Sequence, residues 1–173
     1  MRKRANRIAM KGEVTNRHLA DEVLKTPGEA VLVRRGVLRS VVIACPDGCG
    51  EVITINLDGR AGKAWQYYEQ GGDMSLFPSV WRDTGCESHF ILWRSHIYWC
   101  DRNEELDVPM AEVILQVRDA LGTQLESYTS IADCLDLVPW AVLSACGKLR
   151  REGIALEGKD RLRGHFMRAP GKD

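Results

Sequence analysis

The segment Cys45-Pro46-Asp47-Gly48-Cys49-Gly50 sets two thiols on either side of a Pro/Gly turn. Such a turn aims both sulfurs inward and offers them backbone N–H groups, as in a zinc knuckle with one extra residue. About forty residues later, Gly85-Cys86-Glu87-Ser88-His89 supplies a second pair with C-x2-H spacing. Cys100 closes a hairpin and, by strand pairing, falls near His89. The candidate metal ligands are therefore Cys45, Cys49 and Cys86, with His89 and Cys100 as rivals for the fourth place. Two pairs plus Cys100 in a small strand-rich segment favour a metal over inert buried thiols, and thiolate with imidazole favours zinc. Four protein ligands make a closed site that stabilises folding and hydrolyses nothing. Three would leave an open catalytic position, but no H-x-E or H-E-x-x-H supplies a base. Ser88 beside His89 is not read as nucleophile and base. Adjacent residues seldom reach triad geometry, and no orienting acid is identifiable.

The same cysteine motifs recur with Leu76-x-Pro78-Ser79-Val80-Trp81-Arg82 and Trp99-Cys100. Together they make Ala30 to Cys100 resemble a bacterial family classed only as a domain of unknown function. Some of its members resemble components encoded beside bacterial ubiquitin-like conjugation genes, which implies a place beside such a system. The family pattern usually carries a cysteine where Asp47 stands, so a role needing a second ion is not implied. The Ser79-Val80-Trp81-Arg82 run reads two ways with equal weight. Trp81 and Arg82 could stack on a nucleobase or a peptide, or Trp81 could be core with Arg82 holding a carboxylate.

The elements that must position these residues follow from hydrophobic periodicity. The fold class is α+β: a small antiparallel β domain with a zinc site, then a winged helix-turn-helix. Residues 1–28 read as a basic arm and one short helix from Asn16 to Lys25. Residues 29–100 form the zinc-binding β domain, with strands in Ala30–Val33, Val37–Ala44 and Glu51–Leu57. Gly59 to Asp73 reads as loop, extended around Trp65–Tyr68, and Phe90–Trp93 with Ile97–Trp99 make the last hairpin. An acidic linker covers 101–109, the winged helix 110–168 and a tail 169–173. Within that third part, helices span Met110–Leu121, Thr129–Leu135 and Pro139–Glu152, with proline in the first turn of the last and Gly153 as its stop. Ile154–Leu156 and Leu162–Met167 then flank a Gly-Lys-Asp turn.

A helix that reads DNA exposes hydrogen-bonding side chains from its N-terminal half. Here the outward positions are Val138, Pro139, Trp140, Leu143, Ser144 and Gly147, and only Ser144 has a side chain of the kind that hydrogen-bonds base edges. Val138, Trp140 and Leu143, with Trp81, are thus candidates for protein binding. Ser144, Lys148, Arg151, Lys159, Arg161 and Arg163 are candidates for nucleic-acid contact, mostly to phosphate.

Formal net charge is zero over 173 residues, so no global field draws the chain to nucleic acid or membrane. No stretch approaches the ~20 apolar residues of a membrane helix, and the basic N-terminus lacks the apolar core of a secretory signal. The location read from this is cytoplasmic, where cysteines stay reduced. The leading function is a non-catalytic zinc adaptor with a winged-helix protein-interaction module, linked to a bacterial ubiquitin-like conjugation system. The alternatives are a DNA-binding transcriptional regulator and, last, a zinc enzyme with an open metal site. A protein partner leads, DNA follows, and no small-molecule substrate is identified.

Overall fold

The computed structural model describes residues 3–102 and 109–171. The chain divides into two compact units at 104/105. Most of the acidic linker expected over 101–109, and the end of the tail, lie outside the described residues.

The first unit holds two four-stranded sheets. One runs β1 (Ala9–Val14), β2 (Glu29–Arg35), β3 (Val37–Ala44), β4 (Val52–Asn56). The other runs β5 (Gln66–Gln70), β6 (Asp73–Trp81), β7 (His89–Trp93), β8 (His96–Trp99). Every pairing is antiparallel except β1 with β2. That pair is parallel because α1 (Ala20–Val23) and the 3-10 turn before it (Arg17–Leu19) lie between the two strands. Strand alternation gives the first sheet two apolar faces. Ala30, Leu32, Val41, Ile43, Ile53 and Ile55 meet Met74, Leu76, Val80, Phe90, Leu92 and Ile97 of the second sheet in one core. Val31, Val33 and Val42 point the other way, against Ala20 and Leu24. The second sheet turns its core side chains to one face, and its other face is only partly covered, with Trp81 67% exposed.

The N-terminal segment differs from the expected free arm. Ala9–Val14 is a strand, and the residues before it are tied by backbone. Ala5 N–H donates to Pro46, Ile8 N–H to Ser95, Ala9 N–H to Gly28, and Asn6 C=O accepts from Ile97. Gly28 is required at this crossing: its φ is +86°, and a Cβ there would stand 2.7 Å from the Arg7 carbonyl. The basic side chains also have acidic partners, Arg7 with Asp73 and Lys11 with Glu29. Composition alone could not reveal them. The second departure is β6, which runs through a stretch read as loop at its start and left unassigned at its end.

The second unit runs α2 (Met110–Ala120), β9 (Glu126–Ser127), α3 (Tyr128–Leu135), α4 (Pro139–Arg151), β10 (Ala155–Glu157) and β11 (His165–Arg168). Its sheet order is β10-β11-β9, antiparallel throughout. Ser127 caps α3 by accepting the Ser130 N–H at 3.1 Å. Asp136 ends α3 in the left-handed conformation at φ 56°, and α4 leaves at 117° to α3. Val113, Val117, Ile131, Val142, Cys146, Leu149 and Phe166 fill its interior. No single described helix is long and apolar enough to cross a membrane.

Glu29 closes the link from α1 to β2, accepting the N–H groups of Lys25 at 2.6 Å and Thr26 at 3.0 Å. Those bonds, with Lys11, hold its pKa down from 4.5 to about 2. The folded value lies below the unfolded one. The stabilisation is therefore complete above pH 4.5 and is lost as pH falls through about 2. Glu29→Gln should lower the urea midpoint at neutral pH and flatten its decline between about pH 5 and pH 2. A decline as steep as the wild type's would count against this assignment.

Candidate functional site

Cys45 follows the last residue of β3, and its own backbone closes the turn. Its N–H donates to Glu51 at 2.8 Å, and its carbonyl accepts from Gly48 at 3.0 Å. The turn brings Cys49 back beside Cys45, and the β6–β7 connection brings in Cys86. The sulfurs of these three cysteines lie within 4.8 Å of one another, and those of Cys45 and Cys86 are 3.6 Å apart. Two thiolates on a tetrahedral zinc, each ~2.3 Å from the ion, stand roughly 3.8 Å apart. The donor set thus fits a metal ion. The Ser88 hydroxyl, 2% exposed, sits 3.4 Å from the Cys86 sulfur and 3.7 Å from that of Cys45. Burial pushes the Cys45 thiol up to about 12. Burial also opposes ionisation of Cys86, but hydrogen bonds from Ser88 and the neighbouring thiols outweigh it and lower that pKa.

Of the five expected ligands, the structure groups Cys45, Cys49 and Cys86 and leaves His89 and Cys100 outside the cluster. Cys100 opens a 3-10 turn after β8, where burial first, and Asp101 second, raise its pKa. Asp47, at the position where the resembling family usually has cysteine, is an ion-pair partner. It accepts Arg4 Nε at 2.7 Å, and the same guanidinium reaches Asp101 at 2.8 Å and lies over the Trp99 ring.

His89 is engaged elsewhere. Its Nε2 lies 3.0 Å from the hydroxyl of Ser79. The pairing arises from an irregularity in the β6–β7 ladder. Leu76 pairs with Leu92 and Val80 with Phe90, so Phe77, Pro78 and Ser79 stand against Ile91 alone. A bulge of this kind re-aims side chains. Val80 and Phe90 point into the core at 2% and 0% exposure. Alternation then places Ser79, Trp81 and His89 on the opposite, outer face. Trp81 is 67% exposed, and its ring centroid lies 6.2 Å from that of His89. Trp81 is therefore no core residue, while Arg82 beside it is mostly covered and 3.7 Å from Glu51. The main chain is held on both sides: Trp65 Nε1 donates to the Ser79 carbonyl at 3.3 Å, and Arg82 N–H to Ser88 at 2.9 Å. Gly85 makes the following turn at φ +70°, where a Cβ would come 3.3 Å from Arg82 Nη2. A hydroxyl within hydrogen-bond reach of an imidazole is a nucleophile–base geometry. Among the described residues no carboxylate bonds to the His89 ring, so this is a pair and not a triad.

Sequence reasoning missed Ser79 as a partner of His89. The residue was visible inside the Ser79-Val80-Trp81-Arg82 motif, but the register that joins positions ten apart was not. Ser88, the serine weighed against His89, bonds to the thiols instead.

In the second unit Val138 is 4% exposed and Pro139 is also buried. The outward apolar face expected there is thus smaller by two residues, because both pack under the α3–α4 corner. Trp140 and Leu143 are half-buried, and Ser144, Lys148, Arg151, Lys159, Arg161 and Arg163 are exposed. Lys159 and Arg163 line an open groove of about 570 Å³ with Arg150, Glu157 and Asp160. Arg150 is bound to Glu157 at 2.5 Å, so the groove is of mixed charge.

Residues 15–100, just under half of the chain, match the model of a family described as a bacterial ubiquitination-like system serine protease (BubE). The match spans the thiol cluster, Ser79 and His89. It also overlaps the stretch whose motifs pointed to ubiquitin-like conjugation, and it carries the same association. No curated protein and no solved structure matches the chain.

Protein purified without added metal should carry one thiol-bound ion per chain. Cys45→Ser and Cys86→Ser should lose it together with stability, whereas Cys100→Ser and His89→Ala should keep full stoichiometry by elemental analysis. Metal loss in Cys100→Ser or His89→Ala would put a fourth ligand back among the expected pair.

Proposed function

We propose that the first unit is a serine hydrolase of a bacterial ubiquitination-like system, with Ser79 as nucleophile and His89 as its base. One observation carries this reading: the 3.0 Å contact between the half-buried Ser79 hydroxyl and His89 Nε2 on the outer face of the sheet. The family description, which names a serine protease, supports it. The substrate is an acyl bond at the end of a ubiquitin-like protein, either in its precursor or in its conjugates. Ser79 Oγ attacks the scissile carbonyl and its proton passes to His89 Nε2. His89 gives that proton to the departing amine, leaving an ester on Ser79. Water then attacks the ester, its proton goes to His89, and the carboxylic acid is released as Ser79 regains a proton.

The thiol cluster takes zinc in this reading, held by Cys45, Cys49 and Cys86. When bound, the ion supplies a structural crosslink between the β3–β4 turn and the approach to β7. Cys86 lies three residues before His89, so the crosslink steadies the strand that presents the imidazole.

A non-catalytic adaptor in the same system is the second reading, and the second unit favours it. Its order of helix, strand, two helices and a hairpin, with the sheet ordered β10-β11-β9, supports our reading of it as a winged helix. Its α4 offers Trp140 and Leu143 where a DNA reader would offer polar side chains. The mixed-charge groove at β10 argues the same way. In this reading the second unit serves as a protein-docking module.

Reaction with a small fluorophosphonate tests the chemistry directly. Ser79 should be labelled, and Ser79→Ala should abolish both labelling and cleavage of a ubiquitin-like precursor. His89→Ala should slow them by about 10³-fold or more. Precursor binding without any labelling at Ser79 would leave the adaptor reading standing and end this one.

Trp140→Ala should weaken capture of the conjugation partner at least about tenfold while leaving fluorophosphonate labelling intact. Arg161→Ala with Arg163→Ala should then change nothing. Salt-sensitive DNA binding lost in that double variant would instead make the second unit a nucleic-acid module.

A further inference from the structure

The β6 strand has two different halves. From Asp73 to Phe77 it is paired with β5, and at Leu76 with β7 as well. Past Phe77, no strand pairs with it on the β5 side among the described residues, while β7 continues on the other. The backbone direction along this half follows from two bonds. Arg82 N–H donates to Ser88, toward β7. In an antiparallel ladder the orientation alternates, so the N–H and C=O of Trp81 point away from β7, into the gap β5 leaves. The Ser79 carbonyl confirms the alternation, since it points to the same side and accepts from Trp65 Nε1.

We propose that this gap is the substrate cleft, and that it takes an extended polypeptide as an added strand against Trp81. The proposal rests on the hydrolase reading above and deepens it by naming how the substrate is held. The occupant is a polypeptide main chain because the open edge offers one N–H donor and one C=O acceptor in strand register. An extended backbone supplies the complements of both. Neighbouring strands lie about 4.8 Å apart, so a strand bonded to Trp81 passes beside the hydroxyl of Ser79, two residues away on the same face. The exposed Trp81 ring and the His89 ring wall the outer side of this path. The segment that fits is unfolded and extended at the scissile bond, such as a terminal tail of a ubiquitin-like protein. A bond within a folded domain would not fit.

Proline tests this cleanly, because it removes a backbone donor. At position 81 the lost N–H is the one facing the gap, and the β7 ladder is untouched. Strand proline is tolerated where its missing N–H faces away from the sheet. Trp81→Ala removes the same ring but keeps the N–H. The full chain and both variants are compared in two reactions: fluorophosphonate labelling of Ser79, and cleavage of the ubiquitin-like precursor of the same system. Ser79 should take the label in each, and cleavage is compared per labelled site. Cleavage by Trp81→Pro should fall about tenfold or more below that of Trp81→Ala, the effect of one lost main-chain hydrogen bond. Equal cleavage per labelled site by the two variants would overturn the added strand. If wild-type protein takes no label at Ser79, the hydrolase reading itself fails, and the two failures stay distinct. Should Trp81→Pro take no label, a precursor tail with single N-methylated amides replaces it. One methyl position near the scissile bond should then block cleavage by the wild type, and cleavage of every methylated tail would overturn the proposal.

Discussion

Three thiols brought within 4.8 Å of one another are the constraint on which the first unit depends. Cys45 and Cys49 belong to the turn after β3, in one sheet, and Cys86 to the connection that enters β7, in the other. That connection is a run of turns, whose ordering carries an entropic cost of about 1–2 kcal/mol per residue. Few bonds hold it otherwise: Arg82 to Ser88 at 2.9 Å, and the Ser88 hydroxyl to the sulfurs. Thiols gathered this closely are held best through a shared ion. Cys45, pushed up to about 12 by burial, has little tendency to ionise unless a cation replaces its proton. Cys86, Ser88 and His89 are almost consecutive, so an order imposed at the first reaches the last within a few bonds.

The hydroxyl opposite His89 depends on a different local device. A regular ladder would set one residue of β6 opposite Ile91. Three stand there instead, and Ser79 is the last of them. Because two residues are added and not one, Leu76 and Val80 both still face the core. The bulge therefore moves the outer-face residue without disturbing the packing beneath it. Phe90 and Val80 anchor the inner side, so the pair is mounted on a rigid sheet and not on a loop. Trp65, from the segment before β5, holds the Ser79 carbonyl from the side.

What the sequence revealed, and what it did not, divides by the range of the interaction. The cysteine turn, the β2–β3 and β7–β8 hairpins and the three helices of the second unit are local patterns, and each lies within a residue or two of its expected place. The β1 strand escaped because Ala-Met-Lys-Gly-Glu-Val has no clean alternation, and its pairing with β2 is parallel. The β6 strand escaped because Phe77-Pro78 interrupts its pattern and Ser79 to Arg82 carries no turn signal. His89 was drawn to the metal by a spacing that suits zinc equally well. Only the strand register, which no single-sequence pattern fixes, assigns it to Ser79. Val138 shows the same limit at a corner, where a residue outward on a helical wheel is covered by the turn that precedes it.

The two chemistries then separate by charge. A divalent ion bound by three thiolates carries a net negative charge. That charge opposes formation of a metal-bound hydroxide and makes the ion a poor source of a nucleophile. In the hydrolase reading, the Ser79 hydroxyl acts from the outer face of the sheet, 3.0 Å from His89 Nε2. Ionisation of that hydroxyl is needed only as the bond to carbon forms, and His89 is placed to take the proton at that moment. In that reading, a thiol cluster that braces and a half-buried hydroxyl that reacts make different demands on their surroundings: one needs enclosure and the other access. The second sheet meets both, because its inner face completes the core while its outer face stays open. The same asymmetry explains why the unpaired stretch of β6 can persist at an edge. An edge with free donors invites pairing by any extended chain. Here it is held to a few residues of β6 beside Ser79.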